Sequence, residues 1–279
     1  SDLAIFSLSF FSTNAYAQVG IFDNQSDVGP VKHPGTASFD ATTQQYTLAG
    51  SGANIWGTHD EFHFVWKKMK GDFILRANVA FIGKGVEDHR KIGWMVRSSL
   101  DTNSKQINAV LHGDGLTSLQ YRKTGSGITE EKKSTLTHAD AIQLERKGNS
   151  YTMSVAHKGE TFVSEKLDDL DLGDDVYVGI FICSHNADVT EKATFDNVRI
   201  VVPAGKSLVP YKDYLGSSIE ILDVEKATSK VIYQIPNSLQ APNWTNDGKS
   251  LIYNRDGKLY NFDLATGTPK EINTGVANK

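Results

Sequence analysis

Cysteine is almost missing from this chain: Cys183 is the only one in 279 residues, so no internal disulfide can form and the core must hold without covalent staples. It lies in the apolar run Val176–Cys183, where a lone thiol reads as a small core hydrophobe and not as a nucleophile. Long apolar runs are missing too. The longest candidate, residues 3–11, is well short of the roughly 20 residues a membrane helix needs. No excess of positive charge is present either, since 29 Lys and Arg against 33 Asp and Glu leave a formal charge of −4. The electrostatic footprint of a nucleic-acid binder is therefore absent. His-x-His and His-Glu-x-x-His spacings do not occur, which argues against a zinc enzyme. The Gly-Ser-Gly stretches at 50–52 and 125–127 precede no helix and read as turns without a phosphate-cradling role, and no Gly-x-Ser-x-Gly elbow exists.

What the chain has instead is alternation. From Val19 to Val202 about a dozen short segments carry a two-residue period and none carries a helical one. They fall at 37–40, 45–49, 60–66, 72–81, 91–98, 106–112, 116–122, 140–146, 150–156, 160–165, 176–183 and 192–201, separated by turns such as Asp114-Gly115 and Lys158-Gly159. Residues 168–175 read as a loop or a single helical turn. The heaviest aromatic load lies in 46–75, where Phe62, Phe64 and Trp66 share one strand face and Phe73 follows after a Gly71-Asp72 turn, so these four are expected in the core. The predicted fold class is all-β: a two-sheet jelly-roll sandwich followed by an incomplete β-propeller.

Several spaced motifs carry a resemblance. Ser51-Gly-Ala-Asn-Ile-Trp-Gly-Thr58, Asp60-x-Phe62-x-Phe64, Gly71-Asp72-Phe73, Gly93-Trp94-Met95-Val96-Arg97-Ser98 and Phe195-Asp196-Asn197-Val198 resemble the concanavalin A-like lectin/glucanase (laminin G-like) superfamily, and within it the DUF1349-type modules of exported bacterial proteins. The resemblance implies a sandwich with a concave face, over 18–203, that recognises carbohydrate or protein. After a linker at 204–216 the pattern changes, and Ile219–Asp223 aligns with Leu259–Asp263 at a period of 40 residues, a spacing that signals propeller blades. Between the copies, Pro242-Asn-Trp244-Thr245-Asn-Asp247-Gly248-Lys249 is similar to the signature of TolB-like (PD40, WD40-like) repeats, with Thr245 where Ser is usual. One to two blades fit into 217–279, and the natural chain is expected to continue beyond Lys279. At the other end, residues 1–17 read as a secretory signal peptide truncated at its start, with cleavage after Ala17 in an Ala-x-Ala site, which implies a periplasmic or secreted protein.

The candidate ligand residues cluster at turns and strand ends. Trp56, between turn residues, is the foremost aromatic platform, and His59 stands beside it. Asp88 and His89 occupy a charged loop after Gly83-Lys-Gly85. His112 ends a strand, and His185 lies where loops of a sandwich gather. Arg97, Tyr121 and Arg122 are expected to present donors and a stacking face from neighbouring strands. Glu220 and Asp223, three apart in a strand, point to opposite faces and cannot form a glycosidase pair. No cofactor is expected; calcium is the structural ion that exposed Asp and carbonyl groups would suit. The reading is an exported, non-enzymatic recognition protein whose partner is a carbohydrate or an envelope or secreted protein. The competing class is an accessory or divergent domain of a carbohydrate-active hydrolase whose catalytic part lies further along the chain.

Overall fold

The computed structural model describes residues 18–210 and 212–275. The expected signal peptide at 1–17 lies outside the described residues. Every named element is a strand. In chain order the first group comprises β1 (Asn24–Val28), β2 (Thr36–Asp40), β3 (Gln45–Gly50), β4 (Ile55–Trp56), β5 (His59–Asp60), β6 (Phe62–Met69), β7 (Phe73–Ile82) and β8 (Lys91–Arg97). It continues with β9 (Gln106–His112), β10 (Thr117–Arg122), β11 (Glu130–Lys133), β12 (Ala141–Lys147), β13 (Ser150–Ala156), β14 (Val163–Leu167), β15 (Val176–Cys183) and β16 (Glu191–Val201). Residues 168–175 are a loop whose Leu170 and Leu172 are buried.

Two antiparallel sheets of seven strands form a β-sandwich. The front sheet runs β1-β6-β15-β8-β9-β10-β11 and the back sheet β14-β13-β12-β7-β16-β3-β2. Alternation explains what each face does. In β9, Ile107, Ala109 and Leu111 enter the main core between the sheets, where they meet Trp94, Val96, Leu144 and Phe195. The intervening Gln106, Asn108, Val110 and His112 therefore line the outer face of the front sheet.

The aromatic strand departs from expectation in an informative way. Phe73 joins the main core, but Phe62 and Phe64 do not; they pack with Val28, Ile55, Met95, Val110, Phe181 and Cys183 in a second cluster. The register Phe64–Phe181–Gly93–Val110 across β6, β15, β8 and β9 puts this cluster on the outer face of the front sheet. Trp66 packs at its margin, edge-on to Tyr177 at 4.9 Å between ring centroids. The second cluster exists because residues 51–60, including the small hairpin β4–β5, fold back over that face and bury Ile55 against it. A periodic sequence shows that a strand face is apolar; it does not show which side of a sandwich that face meets.

The remaining strands are β17 (Ser217–Asp223), β18 (Thr228–Ile235), β19 (Gln240–Trp244), β20 (Ser250–Arg255), β21 (Lys258–Asp263) and β22 (Thr268–Ile272). The first two form a hairpin and the last four an antiparallel meander, and the described residues close no propeller. The 40-residue repeat has a physical counterpart. Asp223 accepts hydrogen bonds from the backbone N–H of Glu225 and Lys226, and Asp263 accepts them from Ala265 and Thr266, so both copies turn on the same carboxylate. Glu220 is engaged by Arg199 and the Ser229 hydroxyl.

Candidate functional site

Over the outer face of the front sheet lies a cavity of about 280 Å³, lined by Asn54, Trp56, His89, Lys91, His112, Leu116, Gln120, Glu131, Lys133 and His185. The sheet register places its floor. Lys91 of β8 faces His112 of β9, and Gln120 of β10 faces Glu131 of β11. In β8, β9 and β10 this follows the alternation that sends the neighbouring Ile92, Leu111, Leu119 and Tyr121 into the main core. The wall comes from the 51–60 segment, which supplies Asn54 and a Trp56 that keeps 42% of its surface exposed.

Hydrogen bonds fix the protonation pattern on the floor. His112 is buried, and its Nδ1–H donates to the Leu116 carbonyl at 3.0 Å. Its Nε2 is then an acceptor for the Gln120 amide at 3.3 Å. Burial, followed by the charge of Lys91, pushes the imidazole down to about 4, so it is neutral at pH 7. The Gln120 amide also donates to Glu131 Oε1 at 3.0 Å, while its own Oε1 has no partner. Lys91 is 3% exposed and donates to Asn54 Oδ1 at 2.6 Å; burial holds its pKa below the ordinary lysine value. His185 sits at φ +59°, and its ring stacks edge-on to His89 at 5.6 Å, which in turn meets His112 at 5.8 Å. Among the described residues no three His, Cys, Asp or Glu side chains are placed to hold a metal ion.

Of the residues singled out from sequence, Trp56, His89 and His112 come together in this cavity, and His185 joins them. The others do not. His59 is exposed, 4.0 Å from Glu61, and Asp88 is exposed in its loop; neither lines the cavity. Tyr121 is one residue out of phase with Gln120 and belongs to the main core, with its hydroxyl donating to Glu130 at 3.3 Å.

Arg97 and Arg122 need the largest correction. They are not on adjacent strands, because β9 and its Gln106 lie between them. Both are fully buried against an equally buried Asp60, which receives two bonds from Arg122 at 2.6 and 2.9 Å and one from Arg97 at 3.3 Å. They also donate to the carbonyls of Gly57, Ser99, Asp101 and Ser104, to the Thr129 hydroxyl and to the Met95 sulfur. These arginines clamp the 51–60 segment to the sheet and offer nothing to a ligand. Arg90 is likewise committed, to Glu191 at 2.7 Å. Cys183 is buried and its thiol is pushed up to about 11 by that burial, which removes it as a nucleophile at neutral pH.

Lys91, Gln120, Glu131, Lys133 and Asn54 were not singled out from sequence. The signal was present in the polar alternation of Gln106 and Asn108 in β9 and of Ser118, Gln120 and Arg122 in β10, which marks a polar sheet face.

No family model matches the chain. An uncharacterized protein of Agrobacterium fabrum is 42% identical over 62 residues, which are 22% of this chain and 21% of that protein, so the match spans about a fifth of the relative. Among solved structures, a functionally unknown protein from Saccharomyces cerevisiae is 16% identical and covers 63% of this chain and 96% of its own, with a TM-score of 0.49. An alginate lyase from Klebsiella pneumoniae covers 60% and 84% at 12% identity and a TM-score of 0.38. A β-1,3-1,4-glucanase (lichenase) from a mouse hindgut metagenome covers 61% and 89% at 11% identity, also with 0.38.

Proposed function

We propose that the cavity over the front sheet is a carbohydrate-recognition site of an exported, non-enzymatic protein, and that β17–β22 belong to a propeller-type interaction scaffold. One observation carries the sugar reading. A half-exposed Trp56 forms the wall of a small cavity whose floor is a donor and acceptor set, the buried Lys91, His112 and Gln120 with the partly buried Glu131. Aromatic faces bind the apolar faces of sugar rings, and buried amide and charged groups match ring hydroxyls. At about 280 Å³ the cavity falls just below the range of drug-sized pockets, which suits about one ring. Recognition is favoured over hydrolysis because a glycosidase needs two carboxylates across the bond, and the cavity has Glu131 alone. Export is supported by the apolar run and Ala-x-Ala site before Gln18. Support for the scaffold reading is the repeated Asp223 and Asp263 turns.

The test is a glycan array and affinity electrophoresis with the whole chain, followed by Trp56→Ala. The expected result is retention by at least one polysaccharide, about tenfold weaker in the variant at an unchanged thermal midpoint. Absence of binding to every polysaccharide overturns the reading.

A further inference from the structure

The carbohydrate reading uses Lys91 as a donor but leaves its charge without a counter-ion. Lys91 carries three N–H donors, and among the described residues one acceptor is given to them, the Asn54 Oδ1. A buried ammonium ordinarily has a carboxylate partner, because taking an unpaired charge out of water is costly. The one carboxylate lining the cavity is not that partner. Glu131 accepts from Gln120 through Oε1, and its Oε2 lies 3.8 Å from Lys133. With His112 held neutral, the cavity has two ammonium groups, Lys91 and Lys133, against one carboxylate. Lys133 is largely exposed at the rim, so the buried positive charge at the floor is that of Lys91.

A second, independent feature points the same way. Gln120 is 1% exposed and lines the cavity, both of its N–H groups are committed, to His112 and to Glu131, and its Oε1 is an acceptor with no donor. Such a group leaves a desolvation cost that a ligand hydroxyl would offset. One cavity thus presents donors in need of an anion beside an acceptor in need of a hydroxyl.

We infer that the cavity selects saccharides bearing an acid group, with Lys91 as counter-ion to that group and Gln120 Oε1 accepting from a neighbouring ring hydroxyl. This rests on the carbohydrate reading and narrows it. The acid group is a uronate carboxylate or a sulfate ester, since a lysine ammonium acts as a point charge toward either.

Calorimetry on the whole chain tests it with matched ligands: oligomers of galacturonate, mannuronate and glucuronate, the same oligomers after reduction of their carboxyl groups, and a galactan with and without sulfate esters. The expected result is that an acidic oligomer binds at least about tenfold tighter than its neutral counterpart, a gap that narrows from about 50 to about 500 mM salt. Preference for the uronate or for the sulfated galactan supports the inference and identifies the acid. Lys91→Met is expected to abolish the gap, so that on the variant each acidic oligomer binds no tighter than its neutral counterpart; replacing a buried charge by an apolar chain of similar volume often preserves a fold. The paired ligands give the answer on the unaltered chain even if that variant does not fold. Equal affinity for acidic and neutral forms overturns this inference and leaves the carbohydrate reading standing. Failure of every oligomer, neutral ones included, overturns this inference, and together with an empty glycan array it overturns both.

Discussion

Asp60 is one carboxylate between two guanidinium groups, and all three side chains are fully buried. Removing its charge strands two cations, so Asp60→Asn is expected to lower stability by about 3–5 kcal/mol, read as a shift in the urea midpoint. Arg97→Met leaves the bidentate Arg122 pair intact and should cost clearly less; an equal or larger loss would show that Arg122 is not the main partner. His112 makes a second residue-level prediction. Its folded pKa of about 4 is below the ordinary 6.5, so between these values the unfolded chain binds more protons and stability falls as pH drops. The loss from pH 7 to pH 4 amounts to ~3 kcal/mol, and His112→Gln should flatten that part of the stability profile. A profile unchanged by the substitution would refute the assignment. At this scale the sequence was half legible. Turns and strand ends marked Trp56, His89 and His112, which line one cavity. Tyr121 and Arg122 are adjacent in one strand and so cannot share a face, which the period-2 rule alone excludes. Arg97 and Arg122 do lie on the outer face with Lys91 and Gln120. What no local pattern showed was that residues 51–60 return to cover that end of the face, which turns two candidate ligand groups into a buried clamp.

The elements themselves were the most readable part of the chain, because each strand of the sandwich pays for burial of one face with alternation that survives in the sequence. Within the two seven-stranded sheets the strands that escaped notice, β1 and β11, are short edge strands rich in polar residues, where alternation has nothing apolar to mark. β8 shows how tightly the two faces are coupled. All of its residues are buried, and Gly93 sits at φ +151° in the row that carries Phe64, Phe181 and Val110. A Cβ there would collide with the carbonyl oxygen of Ala109 on β9. Gly93→Ala is therefore expected to destabilise the chain by more than about 2 kcal/mol in chemical denaturation, by strain and by displacement of β9. Since β9 carries His112, the same variant should also weaken saccharide binding under conditions where it remains folded. A variant of unchanged stability would mean that the β8–β9 pairing yields without cost, contrary to the packing of both faces.

Across the whole molecule the stabilising apolar contacts are unevenly shared. The sandwich holds a large core and a second cluster, whereas β17–β22 bury little more than Ile219, Leu251, Tyr253 and Phe262. The repeat period announced a change of architecture after the sandwich, but the way the two parts join could not be read, since it depends on a bulge. In β16 the register shifts between Asp196 and Arg199, with Asn197 at φ +50°. Asn197 then accepts from the Ser229 N–H at 2.6 Å and donates to the Ala227 carbonyl. Arg199 meets Glu220 and Ser229, and Gln44 exchanges two hydrogen bonds with the Val231 backbone. The hairpin β17–β18 is thus held on the back sheet by polar contacts, and such contacts at a half-exposed seam contribute about 1 kcal/mol each at most. Local opening of β17–β22 should accordingly need far less free energy than opening of the sandwich. Hydrogen exchange is expected to show the amides of β17–β22 exchanging well before those of β7 and β16. Arg199→Ala should speed exchange in β17 and β18 by roughly three- to tenfold and leave β7 unchanged. Equal acceleration in both regions would show instead that the hairpin and the sandwich unfold as one cooperative unit, and the polar seam would then have to be regarded as part of the sandwich itself.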